Sequence, residues 1–175
     1  FDSEGENPFA ESVIDLQLDA ANISASDVSY FTPADLILNG DYVVNLSAEG
    51  DYDDIELKYL DMFVDQSEIR LSGKVNSLRD PENLEYSADI TKIYFRTQDI
   101  RRALPGMLPE ALSRLHSITV DNTILSGSTD SAYAEFRIYN HVGRIEGKAG
   151  IRFTGDMAYS TDITTHGLDL SPILD

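Results

Sequence analysis

Cysteine and tryptophan are both missing from this chain of 175 residues. Without thiols there is no disulfide, no thiolate nucleophile and no sulfur-ligated zinc or iron–sulfur centre. No run of about 18 apolar residues occurs either, so no segment reads as a bilayer-spanning helix. Positive charge is scarce: 13 Lys and Arg stand against 31 Asp and Glu, a formal net charge of -18. A chain that neutralises phosphates displays a basic face, so this balance speaks against nucleic acid as a partner and against docking flat on an anionic leaflet. The charge predicts a soluble, self-repelling monomer. The opening "FDSEGENPF" carries no initiator Met and no apolar signal segment, and is expected to be part of a longer or processed polypeptide.

What is present is alternation. At 42% hydrophobic the composition supports one cored domain despite the acidity. Residues 1–12 read as a flexible lead-in, 13–165 as a single β-rich domain, and 166–175 as a tail that leaves the sheet. In "LILNGDYVVNLS", Leu36, Leu38, Gly40, Tyr42, Val44 and Leu46 fall on one side, with Asn39, Asp41, Asn45 and Ser47 on the other. After "AEGDYDD", Ile55, Leu57, Tyr59 and Phe63 are expected to share a face, interrupted by Asp61. "SEIRLSGKVNS" opposes Ile69, Leu71, Gly73 and Val75 to Arg70, Ser72, Lys74 and Asn76. "LEYSADITKIYF" has both faces partly apolar. Thr97 is placed to cap a short helix with Asp99 in its first turn and Pro105-Gly106 at its end, and Pro109 opens a second helical turn. "HSITVDNTIL", "SAYAEFRIYN", "GRIEGKAGIRF" and "DMAYSTDIT" resume the period of two. Eight to ten strands and one or two short helices make an all-β chain. One-sided strands then form a curved, elongated sheet or open groove, or alternatively a closed β-sandwich.

The chain also repeats itself. "YSADIT" at 86–91 returns as "YSTDIT" at 159–164, and Gly73-Lys74-Val75 returns as Gly147-Lys148-Ala149. "LILNG" at 36–40 is similar to "TILSG" at 123–127. Two imperfect copies, about 36–105 and 123–165, describe a strand-and-turn step whose connections vary in length.

Candidate chemistry is thin. "EGDYDD" groups Glu49, Asp51, Asp53 and Asp54, but lacks the length and closing Glu of a calcium loop, and reads as a solvated turn. His116, His141 and His166 share no ligand motif. Asp89 and Asp162 follow strand alternation beside Ser and Thr, which reads as wet outer surface. No serine sits in a nucleophile elbow and no glycine-rich phosphate cradle is present. The expectation is a non-enzyme with no catalytic residue, metal or cofactor. Nine Tyr, seven of them in expected strands, suit the rim of a groove or ordinary cross-strand pairing.

The string "LILNGDYVVNLS…DMFVDQSEIRLSGKVNSLRDPENLEYSADITKIYFRTQDIRRALP" resembles the AsmA-like, TamB-related envelope proteins of Gram-negative bacteria. The likeness rests on Leu38-Asn39-Gly40, on Ser67 through Val75, on Asp80-Pro81-Glu82-Asn83-Leu84, and on Thr97-Gln98-Asp99-Ile100 through Leu104-Pro105. It spans about residues 14–165 and is strongest over 36–105. The resemblance implies a periplasmic protein tethered to the inner membrane by a segment outside this sequence. Its curled β repeats would guide phospholipid or another envelope lipid, or support outer-membrane assembly together with assembly proteins. Leu38, Tyr42, Ile69, Leu71, Val75, Phe136, Ile151 and Phe153 are then expected to line one lipid-facing apolar wall. The rival expectation is an extracellular β-sandwich module that binds protein or glycan, in which the same residues meet across two facing sheets.

Overall fold

Period-two segments joined by short polar turns fold back on their predecessors, and here they do so in strict chain order. The computed structural model describes residues 13–24, 41–103, 114–169 and 171. The strands are β1 (Ile14–Ser24), β2 (Asp41–Gly50), β3 (Ile55–Val64), β4 (Ser67–Asn76), β5 (Glu85–Arg96), β6 (Ser117–Ser128), β7 (Ser131–Asn140), β8 (Gly143–Arg152) and β9 (Ala158–His166). All nine lie in a single antiparallel sheet in the order β1 to β9, open at both edges and curled. Two-residue turns at 65–66, 129–130 and 141–142 make the tightest links, with Asp65 at φ 52 in the first of them. Because every described strand belongs to one sheet, the alternative of two facing sheets is not the fold.

The register explains an apolar pattern that simple alternation breaks. β3 carries one extra residue near Lys58, so Ile55 and Leu57 share a face with Leu60, Met62 and Val64. Tyr59, Asp61 and Phe63 lie on the opposite face. The expected grouping of Tyr59 and Phe63 with Ile55 and Leu57 is therefore corrected: a β-bulge shifts the phase by one residue, and Asp61 interrupts nothing. β5 does the same near Thr91, so that Tyr86, Ala88 and Ile90 continue into Ile93 and Phe95. In β6 the extra residue is close to Asn122, which takes φ 43, and Ile118 and Val120 continue into Thr123 and Leu125. β1 is irregular between Ala20 and Ile23. Bulges bend the strand that carries them and increase local twist, which accounts for curling in a sheet of this width.

The one described helix, α1 (Thr97–Ala103), follows β5 directly. Its Thr97 hydroxyl does not cap it as expected; it donates to the Leu115 carbonyl (2.5 Å), and the Thr97 amide donates to that of His116 (3.2 Å). These bonds tie the start of α1 to the chain entering β6. Pro105-Gly106, Pro109 and Leu38 lie outside the described residues.

Candidate functional site: the apolar wall

Cross-strand register assigns every paired residue to one of two faces. On one face, β2 presents Tyr42, Val44, Leu46 and Ala48 against Val64, Met62, Leu60 and Leu57. These continue through Ile69, Leu71, Gly73 and Val75 of β4 to Ile93, Ile90, Ala88 and Tyr86 of β5. β6 and β7 add Val120, Leu125, Ala132, Ala134 and Ile138, β8 adds Ile145, Ala149 and Ile151, and β9 ends the row with Tyr159 and Ile163. The result is a largely apolar wall from β2 to β9, interrupted by Thr123 in β6 and by Thr161 and Thr165 in β9.

The other face is charged and paired. Lys58 bridges Glu49 (2.7 Å) and Glu56 (2.9 Å), which raises its ammonium pKa through hydrogen bonds to both carboxylates. Glu68 receives Arg70 (3.2 Å) and Lys92. Lys148 meets Glu135 (3.0 Å), and this hydrogen bond likewise raises its pKa. Glu146 takes His166 (3.0 Å), Arg137 (3.5 Å) and Arg144 (3.6 Å). The His166 hydrogen bond is the main reason its carboxyl lies below the ordinary value, with the Arg144 and Arg137 charges adding to it.

Burial shows which way the sheet curls. Between β3 and β8 every wall residue is at least partly covered, while Glu56, Lys58, Tyr59, Arg70, Lys74, Asp89, Glu135 and Lys148 opposite them are exposed. The wall is on the inside of the curl, yet few of its side chains are fully enclosed: Tyr42, Ala48 and Ile90 (6% exposed) are the buried apolar ones. A sheet that packs its apolar face against a second layer encloses most of that face. This one leaves it half-covered, as a trough does.

The two ends of the trough differ. At the α1 end, Ser67 and Asp99 are buried, and the Ser67 hydroxyl donates to Asp99 Oδ2 (2.9 Å) while accepting the Arg96 amide (3.2 Å). Leu115 and Val142 are buried there too, and His116 stands edge-on to His141 with ring centroids 4.7 Å apart. Burial raises the pKa of the Tyr42 phenol, with the Asp65 charge adding to the effect. At the opposite end a depression of about 460 Å³ opens between Tyr86, Leu125, Ala134, Ala149, Ile151 and Tyr159. Its size is that of a small-ligand cleft. Small residues on β7 and β8 leave the space, and the flanking aromatics wall it.

The nominated residues are placed as follows. Tyr42, Ile69, Leu71, Val75, Phe136 and Ile151 occupy wall positions in paired strands, Phe136 opposite Gly147 and Ile151 opposite Ala132. Phe153 lies past the end of β8, 48% exposed, its amide donating to the Asp130 carbonyl (2.8 Å), and is outside the paired wall. Leu60, Met62 and Ile93 lie on the wall too and were not nominated, because bulges disguise their phase. A run with apolar residues on both apparent faces, as in "LEYSADITKIYF", was the available signal.

The acidic and histidine clusters have structural employment. Asp51 Oδ1 accepts the amides of Asp53 (2.7 Å) and Asp54 (2.9 Å), which lowers its pKa. Asp53 and Asp54 in turn accept the amides of Arg79 (2.9 Å) and Ser77 (3.0 Å), tying two neighbouring turns together. Asp89 and Asp162 are exposed on the outer face. Among the described residues no group of three or more His, Asp or Glu could hold a metal ion, and no helix is long and apolar enough to cross a membrane.

Set against protein-family models, curated proteins and solved structures, the chain matches none of them.

Proposed function

We propose that this chain is a non-catalytic lipid-guiding segment: a curled β trough whose inner wall carries phospholipid acyl chains past a charged, water-facing back. The observation that carries the reading is the largely apolar face that runs across the paired strands and is left half-covered. Acyl chains are recognised by apolar area without directional bonds, so a broad wall dominated by Leu, Ile, Val and Ala suits them, and no reacting group is needed. The resemblance to AsmA-like, TamB-related proteins supports the same role, and with it a periplasmic setting, an inner-membrane anchor outside this sequence and a contribution to outer-membrane assembly. Against a glycan- or protein-binding sandwich, the single sheet offers no second layer to enclose the wall.

The test places a photoreactive phenylalanine at Leu71, Phe136 or Ile151 in the full-length protein in cells, with Ile124 on the outer face as control. Phospholipid should be recovered on the three wall positions after irradiation and not on Ile124. Recovery of no lipid at any wall position, in protein that accumulates normally, overturns the proposal.

A further inference from the structure

The repeated hexapeptide is paired differently at its two occurrences. In β5 it runs between β4 and β6; in β9 it runs against β8, and the sheet order ends there. Tyr86 stands opposite Val75 on one side and Gly127 on the other. A Cβ at position 127 would lie 2.6 Å from Tyr86 Cζ, and closer still to the Tyr86 hydroxyl oxygen and to the Ser131 carbonyl oxygen, so only glycine fits between the ring and the turn that follows β6. Tyr159 reproduces half of this arrangement. It stands opposite Ile151, has no strand on its other side among the described residues, and is 83% exposed.

The same edge lacks the usual guards. Edge strands are ordinarily protected by Lys, Pro or a bulge. β9 reads AYSTDITTH, with Asp162 its one acidic residue and no Lys or Pro, pairs with β8 without irregularity, and is exposed at all nine residues. β1, at the other edge, carries a bulge and both Asp15 and Asp19. An unguarded edge presents a row of amides and carbonyls ready to pair, and main-chain bonds of this kind give affinity in strand addition.

We infer that the free edge of β9 is a strand-acceptor site. It takes an extended segment of the β6 pattern, antiparallel, with a glycine against Tyr159, an aliphatic residue against Thr161 and a small hydroxyl residue against Ile163. The specificity comes from the Tyr–Gly pairing, which admits one register and rejects a side chain at the glycine position. The added strand would extend the apolar wall by one row beside the depression at Tyr159. The inference rests on register and repetition and does not depend on what the wall binds.

The probe is a synthetic peptide with the sequence of β6, Ser117–Ser128, added to the whole protein. The chain has no cysteine, so Thr161→Cys supplies a single thiol at an exposed position. By equivalence with the pairing of Ala88 and Leu125, it should form a disulfide with the Leu125→Cys peptide at least about tenfold faster than with the Ile118→Cys peptide. A Gly127→Val peptide should bind about tenfold more weakly by fluorescence anisotropy. Equal crosslinking in both registers, no binding of the unmodified peptide, or Thr161→Cys protein that dimerises through β9 in the absence of peptide would each overturn it.

Discussion

Tyr86 of β5 lies across Gly127 of β6, its ring filling the volume that a side chain at 127 would need. Glycine in a strand interior is usually a weakness, since it packs nothing and costs entropy on folding. Here the neighbouring aromatic covers it. The first prediction follows: Gly127→Val forces Tyr86 off its site and destabilises the fold by about 1–3 kcal/mol. Adding Tyr86→Ala should recover only part of that loss, because the ring is gone while the Ser131 carbonyl oxygen, which crowds the same Cβ, remains. Urea denaturation of both single variants and the double checks this, and simple additivity would count against the contact.

Ser67 and Asp99 are the second pair to test. Ser67 is a buried wall-side residue whose hydroxyl supplies a hydrogen bond to the buried Asp99 carboxylate. Ser67→Ala leaves that carboxylate short of a donor and is expected to cost about 1–3 kcal/mol. Because α1 is joined here, local opening should precede global unfolding, and amide exchange in residues 97–101 should accelerate. An unchanged denaturation midpoint would remove the Ser67–Asp99 bond from any account of how α1 is held.

Deletion of Thr91 is the third. Thr91 is exposed and touches no core, so replacing it by Ala should be nearly silent. Removing the residue is the informative case: it erases the extra step in β5, leaves Ile93 and Phe95 two and four residues beyond Ile90 on the same apolar face, and takes away the bend that the bulge supplies. The deletion variant should therefore stay folded, losing about 0.5–3 kcal/mol with the local bend and the register of its neighbours. Urea denaturation of the two variants checks this, and a deletion variant with no cooperative transition would contradict the placing of the extra step at Thr91.

Acid is the fourth. Glu146 titrates below its ordinary value of 4.5 in the folded chain, chiefly through the His166 hydrogen bond. The folded state therefore binds fewer protons than the unfolded state in the window below that value. Stability from this group is present above the ordinary carboxylate pKa and is lost as pH falls through the folded one. Asp51 and Asp169 are lowered by hydrogen bonds too and act with the same sign. The Tm should fall as pH is lowered from about 5 to 3, and Glu146→Gln should make that fall shallower. A steeper fall in the variant would contradict the assignment.

Much of this molecule was legible before any coordinates. The period of two in "SEIRLSGKVNS", "SAYAEFRIYN" and "GRIEGKAGIRF" placed Ile69, Leu71, Val75 and Ile151 on an apolar face, and the paired strands keep them there. The helix at Thr97 was visible from its acidic first turn and following Pro-Gly, although the Thr97 hydroxyl proved to serve Leu115 instead of the helix amides. What alternation could not reveal was phase. Lys58, Thr91 and Asn122 look like any other strand residues, and nothing local marks them as the extra step that reverses which side their neighbours face.

The repeat shows the same division. Likeness of "YSADIT" and "YSTDIT" was enough to say that both are strands with Tyr and Ile on one side and Ser and Asp on the other. Their registers differ by two residues, Ile90 facing Leu71 while Ile163 faces Gly147, and an even shift preserves the faces. The sequence by itself determined the strands, the two faces within each stretch free of bulges, and the lack of sulfur chemistry, because side-chain direction along a regular strand is a local property of the backbone. Only the tertiary structure decided that all nine strands share one curled sheet, that the wall stays half-covered, and that one copy of the repeat is enclosed while the other ends at an edge. Those outcomes depend on bulges and on which strand lies alongside, contacts between residues far apart in the chain that no local pattern encodes.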